Sequence, residues 1–355
     1  MKKYHNILVN ALVNLGDVVL VTGAVALLKK AYPKAKVTMM VKPAVKQAVM
    51  NNPIIDRVIV FDYRAKEKAL EKMWQMAKEL KAYHFDLAVS FDRKLRPALI
   101  CWLARIPTRV GPDKVFDDNA SFVTWLYTHT IHISHDLNKT LQRETYQEIV
   151  RGFTGIQGSA MPVMASIEER NRKKAKQLVA QLPRASKYIA LCVKGTFPLK
   201  TWPKEYFVAV VKGLLERYDA AFLVVGAPGD KPYAQEVIED IYRALGRRVP
   251  IVNSCGATTL PDLAALMKRC HLFVTVDTGA AHVAAATGVP MVVMYGCTHP
   301  DRWHPASERA VALTSDEPCC PCTCRAEECP SNPRPNCLWH VTPEMVLKKC
   351  FDVLR

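Results

Sequence analysis

Short apolar runs alternate with longer segments of helical period along almost the whole chain, and no other feature limits its fold so strongly. A strand buried on both faces reads as a near-continuous apolar run, and parallel strands need a crossover between them, usually a helix. The early runs are His5 to Ala11, Lys36 to Val41, Arg57 to Phe61 and Phe85 to Ser90. Between them, Val18 to Ala31 and Arg64 to Tyr83 read as helices. In the latter, Leu70, Met73, Trp74, Ala77 and Leu80 recur at steps of three and four. Residues 112–140 have no clean period and read as an insertion near a site.

A Gly- and Pro-containing stretch from Thr154 to Pro162 reads as a linker, and the alternation then begins again. Strands are expected at Lys187 to Val193, Ala220 to Gly226, Pro250 to Asn253, His271 to Val276 and Pro290 to Tyr295, with helices between them. A last helix from Thr342 to Leu354 opens on a Thr N-cap and a Pro at its first position. This pattern predicts an α/β protein of two Rossmann-like domains, residues 1–160 and 161–340, with parallel sheets facing a central cleft. Ligands of such sheets bind beyond the carboxyl ends of the strands. The length of 355 residues, half of them hydrophobic, suffices for two cores.

The formal net charge is +16, and residues 1–165 hold 24 Lys and Arg against 14 Asp and Glu. Such a field attracts phosphorylated sugars, anionic lipid or nucleic acid, though it also serves plain solubility. No block of like charge and no nucleic-acid motif is present, so no nucleic-acid partner is expected. Met1-Lys2-Lys3 and the apolar stretch after it imitate a signal peptide, but His5, Asn6, Asn10, Asn14 and Asp17 interrupt it. No run of eighteen uncharged apolar residues exists to span a membrane. A cytosolic protein is expected, resting on the membrane face.

Four strand-end segments carry polar chemistry. Leu15-Gly16-Asp17, with Thr22, follows the first strand. Gly16 allows a tight turn there, and Asp17 is either a helix N-cap or a general base. Lys194 to Pro203 (KGTFPLKTWP) joins a strand to a helix, so Thr196 and Lys200 either cradle a phosphate or form an ordinary polar connection. In Asp277-Thr278-Gly279-Ala280-Ala281-His282, Gly279 permits close approach of a pyrophosphate and His282 lies one turn on. Gly226 to Asp230 places an acid where it meets a ribose or caps a helix.

Together these segments resemble glycosyltransferase family 9, the ADP-heptose:lipopolysaccharide heptosyltransferases. The resemblance rests on LGDVVLVT, AYPKAKVTMMVKP, NNPIIDRVIVFD, KTWPKEYF and VDTGAAHVAAATGVPMVVMYGCTHPDRWHP. It implies a GT-B fold whose last helix, 341–355, returns to the N-terminal domain. It implies Asp17 as catalytic base, Asn14 and Gly16 in an acceptor loop, and a diphosphate held by Thr196, Lys200, Thr278, Gly279 and His282. Asp277 would shape that loop, and Asp230 matches the ribose-contacting acid loosely. The implied partners are ADP-heptose and a lipid-anchored lipopolysaccharide core acceptor at the cytoplasmic face of the inner membrane. Where many members carry Arg and a Ser pair in the first loop, this chain has Ala11, Val13 and Asn14. Other expectations are transfer of another nucleotide-activated sugar to another surface glycan, and a catalytically silent nucleotide- or metal-binding scaffold.

No Asp-x-Asp sequence is present, so the reaction is expected to need no metal cofactor. Separately, Cys319, Cys320, Cys322, Cys324, Cys329 and Cys337 crowd into one Pro-rich stretch. Cys319, Cys322, Cys329 and Cys337 have spacing that admits a structural zinc or an iron–sulfur cluster, disulfides, or unliganded thiols.

Overall fold

The computed structural model describes residues 3–62, 69–117, 119–322 and 325–355. Cys324 and the expected helix start at residues 64–68 lie outside them. The chain divides into two compact units, Met1–Ser166 and Ile167–Arg355, so the boundary falls slightly later than residue 160.

The first unit runs β1 (Asn6–Ala11), α1 (Leu15–Ala31), β2 (Lys36–Val41), α2 (Lys46–Val49), β3 (Arg57–Val60), α3 (Ala69–Ala82), β4 (Leu87–Ser90), α4 (Leu95–Leu103), β5 (Thr108–Pro112), β6 (His129–Ile131) and α5 (Gln142–Thr154). Its parallel sheet has the order β3-β2-β1-β4-β5-β6. α1 is apolar around most of its circumference because it packs under the sheet and against α5. α3 turns Met73, Met76, Ala77 and Leu80 inward. Leu70 and Trp74, counted above with that face, instead lie outward, 75% and 67% exposed.

The second unit runs α6 (Glu169–Val179), β7 (Lys187–Cys192), α7 (Lys204–Arg217), β8 (Ala220–Val224), α8 (Lys231–Leu245), β9 (Ile251–Asn253), α9 (Leu260–Met267), β10 (Leu272–Val276), α10 (Gly279–Ala285), β11 (Met291–Met294), α11 (Pro300–Trp303), β12 (Ala310–Leu313), α12 (Asn336–Trp339) and α13 (Pro343–Leu354). Its sheet order, β12-β11-β10-β7-β8-β9, repeats the first topology. α13 belongs to the second unit. It packs on α7, with Val346, Cys350 and Leu354 in the core beside Val210 and Leu214. The Trp202 indole donates to the Val341 carbonyl at 2.8 Å and ties that segment down.

In each sheet the strand order reverses once, between β1 and β4 and between β10 and β7. Connections leave these two neighbouring strands in opposite directions, so a crevice opens at their carboxyl ends. Three of the four polar strand-end segments follow β1, β7 and β10 there, while Gly226 to Asp230 follows the neighbouring β8. Among the described residues, no helix is long and apolar enough to cross a membrane.

Candidate active site

In the second unit, β7 and β10 run side by side in register, with Cys192 opposite Thr275. After β7 the chain folds back on itself at Gly195. A Cβ there would stand 2.2 Å from the Lys200 carbonyl oxygen, so only glycine fits this close approach. The fold-back delivers Lys200 to the end of β10. Its Nζ lies 2.7 Å from Asp277 Oδ2, and the Thr298 hydroxyl donates to the same oxygen at 2.7 Å. Lys200 is 15% exposed and Asp277 8%, so the pair is largely withdrawn from water. Such a pair persists only when hydrogen bonds offset its desolvation, and Thr298 supplies one of these.

Beside this pair, Thr278 precedes α10 in extended conformation without capping it. Its Oγ1 is buried with no nitrogen or oxygen partner and only the weak Cys192 thiol beside it, and His282 Nδ1 one turn later is likewise unpartnered. Buried polar atoms are almost always paired, so two orphans at a strand end call for a reason. Burial pushes the His282 imidazole down to about 4, with Lys200 and His304 adding to the effect and Asp277 opposing it. The ring is therefore neutral near pH 7 and offers a donor or an acceptor according to its tautomer.

Two other expected residues stand less close. Thr196 is exposed at the loop tip. Asp230 is engaged at both oxygens, accepting from the Ala227 amide at 2.9 Å and lying 3.3 Å from Lys194 Nζ. It ties the loops after β7 and β8 together.

In the first unit the helix begins earlier than its sequence suggests. α1 starts at Leu15, with Asn14 as N-cap, so Gly16 and Asp17 belong to its first turn and Gly16 makes no separate bend. Asn14 accepts from Lys42 Nζ at 3.2 Å. Asp17 is thus not the cap. It is 6% exposed, and its Oδ1 accepts from the Tyr146 hydroxyl at 2.8 Å. Tyr146, on α5, is fully buried and meets Phe91 edge-on at 5.8 Å. A carboxylate in the first turn of a helix also lies in the favourable end of the helix dipole.

Just past β4, Asp92 is completely buried, and its Oδ2 has no hydrogen-bond partner. Burial raises its pKa, while Lys94, 3.8 Å away, and the more distant Lys42 oppose the shift. A cavity of about 290 Å³ opens here, lined by Leu12, Asp92, Lys94, Leu95, Arg96 and Pro97. Thr22, grouped above with this site, is structural: its hydroxyl donates to the Val19 carbonyl and accepts from the Val163 amide. Tyr146, Asp92 and Thr298 were not singled out from sequence. Thr298 alone lay in a recognisable motif.

The cysteine stretch arranges differently from its spacing. Cys320, outside the expected quartet, is pushed up by burial and by the neighbouring thiols of Cys337 and Cys319. Burial pushes Cys337 up to about 11, and the neighbouring thiols Cys319, Cys322 and Cys329 contribute to that shift. Among the described residues, no three His, Cys, Asp or Glu side chains converge to hold a metal.

The family model described as "Glycosyltransferase family 9 (heptosyltransferase)" matches residues 73–332, well over half of the chain. Lipopolysaccharide heptosyltransferase 3 of Escherichia coli (strain K12) is 24% identical over 302 residues, covering 83% of this chain and 84% of that one. A glycosyl transferase family 9 structure from Veillonella parvula superposes with a TM-score of 0.84 at 24% identity, covering 100% and 98% of the two chains. The ADP-heptose lps heptosyltransferase II of E. coli superposes with a TM-score of 0.79 at 20% identity, covering 98% of each. Both structures share the α/β fold of two parallel-sheet units described above.

Proposed function

The chain belongs to glycosyltransferase family 9, and from that premise we propose that it moves heptose from ADP-heptose to a hydroxyl of a lipopolysaccharide core acceptor. The observation that best supports this reading is the group at the end of β10. Lys200 is fixed by Asp277 and Thr298, next to two buried polar atoms that lack partners. A diphosphate arriving there brings oxygens to both the ammonium and the Thr278 hydroxyl, while His282 supplies a neutral donor. In this reading Gly279 and, from the exposed loop tip, Thr196 also meet the diphosphate, and Asp230 would give up its Lys194 contact to meet the ribose.

The chemistry is a single in-line displacement. The bond from the anomeric carbon to the β-phosphate oxygen breaks, and the acceptor oxygen bonds to that carbon from the opposite side, so its configuration inverts. Charge grows on the departing diphosphate, and Lys200 stabilises it where it develops. The acceptor proton passes to the Asp17 carboxylate. Asn14 and Gly16 border the acceptor, and the cavity beside Asp92 receives part of it. Lys200 takes the role that a divalent ion plays elsewhere, so the reaction proceeds without a bound metal. The enzyme works at the cytoplasmic face of the inner membrane, where its lipid-anchored acceptor is made.

Ala11, Val13 and Asn14 depart from the common first loop and favour a second reading of the acceptor, a different surface glycan. Turnover decides between donors and acceptors. With truncated core acceptors, ADP is expected to appear from ADP-heptose, with and without EDTA. Release of nucleotide from UDP- or GDP-sugars alone, or loss of turnover on chelation, would overturn the assignment.

Tyr146 gives a finer test. Tyr146→Phe keeps the ring and removes the donor to Asp17. The expected kcat is about tenfold lower, and the acidic limb of the pH–rate profile moves to higher pH. A carboxylate that loses a hydrogen bond to its charged form holds its proton more tightly. The donor KM stays unchanged, because the donor is held by the other unit. A pH–rate profile indistinguishable from the parent's removes Tyr146 from the mechanism.

A further inference from the structure

Large apolar side chains exposed singly are ordinary on protein surfaces, but their concentration is not. Nine are exposed among the described residues, and six of them, Leu70, Trp74, Leu95, Trp102, Phe122 and Trp125, lie on three packed elements of the first unit. These elements are α3, α4 and the short 3-10 helix Phe122–Leu126, with α3 against α4 and α4 against the 3-10 helix. The packing beneath is already complete. Val123, Leu126 and Tyr127 close on Ala98 of α4, so Phe122 and Trp125, 72% and 66% exposed, are surplus to that core.

Charge distinguishes this face further. From Arg93 to Pro112 the chain carries five cations, Arg93, Lys94, Arg96, Arg105 and Arg109, and no acid. Arg93 pairs with Asp117, and Arg109 is turned inward onto the carbonyls of Leu126 and Ile106. Lys94, which also lies 3.8 Å from Asp92, and Arg96 and Arg105 are exposed around α4 whatever their local contacts. Glu71 and Glu79 on α3 are accompanied by Lys72, Lys78 and Lys81.

We propose that this face of α3, α4 and the 3-10 helix docks onto an anionic lipid bilayer, with Trp102, Phe122 and Trp125 entering the headgroup layer. Indole and phenyl rings favour that layer, and cations beside them meet its negative surface potential. The geometry also serves catalysis, a step that rests on the function proposed above. The first turn of α4 lines the cavity beside Asp92, at the same strand ends as Asp17. Docking through α4 therefore brings that cavity to the bilayer surface, where a lipid-anchored sugar is presented.

The test is co-sedimentation of the full chain with vesicles of phosphatidylcholine, with and without phosphatidylglycerol. Binding is expected only with phosphatidylglycerol and is expected to weaken with salt. The Phe122→Ser/Trp125→Ser double variant is expected to lose at least about tenfold in vesicle affinity. Arg105→Glu, a charge change outside the packed elements, is expected to weaken binding in the same direction. Both variants should retain parental turnover of a soluble, acyl-free acceptor. The vesicles contain neither donor nor acceptor, so their result stands whether or not heptose transfer is found. Absence of binding by the parent, equal binding to neutral vesicles, or parental affinity in both variants overturns the proposal. So does parental vesicle binding accompanied by loss of self-association in the double variant, which would make the face a protein interface.

Discussion

Asp17→Asn is expected to lower kcat for sugar transfer by about 10²- to 10⁴-fold, the usual contribution of a positioned general base. The substitution is nearly isosteric. Its amide oxygen still accepts from the Tyr146 hydroxyl, which reaches Asp17 at 2.8 Å, so α1 and α5 keep their packing. What disappears is the capacity to take the acceptor's proton. Affinity for ADP should be unchanged, because Asp17 and the candidate diphosphate residues belong to different units. Calorimetric titration with ADP, run beside the rate assay, separates this from unfolding. A variant that loses nucleotide binding along with its rate points to structural damage rather than to a lost base.

Lys200→Met carries the second large effect, and it should appear in two observables. The rate of transfer is expected to fall by about 10²- to 10³-fold, the range seen when one donor to developing charge is removed. ADP binding should weaken as well, because the ammonium faces the diphosphate before and after bond cleavage. Stability should fall by about 2–3 kcal/mol. Breaking a buried pair strands the remaining charge, and the loss here is smaller than for a fully enclosed pair because Lys200 keeps 15% exposure. Adding Asp277→Asn removes the stranded charge. The double variant is expected to recover most of the stability, measured by denaturant titration, and none of the rate. Recovery of both would mean that the pair only holds the loop.

The strand ends were legible in the sequence because buried parallel strands announce themselves as apolar runs with a Gly or a polar residue at the exit. Lys200, Asp277, Thr278 and Asp17 stand out as candidates on this ground, whereas the fold-back at Gly195 does not. Side-chain meetings across the chain were not. Tyr146 reaches Asp17 over 129 positions, and nothing near either residue encodes that approach. α5 is hard to read from sequence because its inward face carries Gln142, Thr145 and Gln147 among the apolar residues, which blurs the helical stripe. α4, β5 and the edge strands β6 and β12 are short, and Pro97 and Pro112 interrupt the pattern further. In the cysteine stretch, spacing favoured Cys319 with Cys322, whereas the fold brings Cys320 to Cys337. C-x-x-C spacing fixes sequence distance but not the direction in which a Pro-rich segment turns. The outward placement of Trp74 is likewise invisible to periodicity, which does not say which side of a helix finds a partner.

In the proposed reaction a carboxylate in the first unit accepts a proton while the second unit holds the departing diphosphate. Single-turnover transfer by Asp17→Asn at saturating ADP-heptose measures this most directly, because donor binding is then removed from the rate. The bound donor is expected to react at least about a hundredfold more slowly than with the parent enzyme. Transfer at the parental rate would contradict it and would place the base elsewhere.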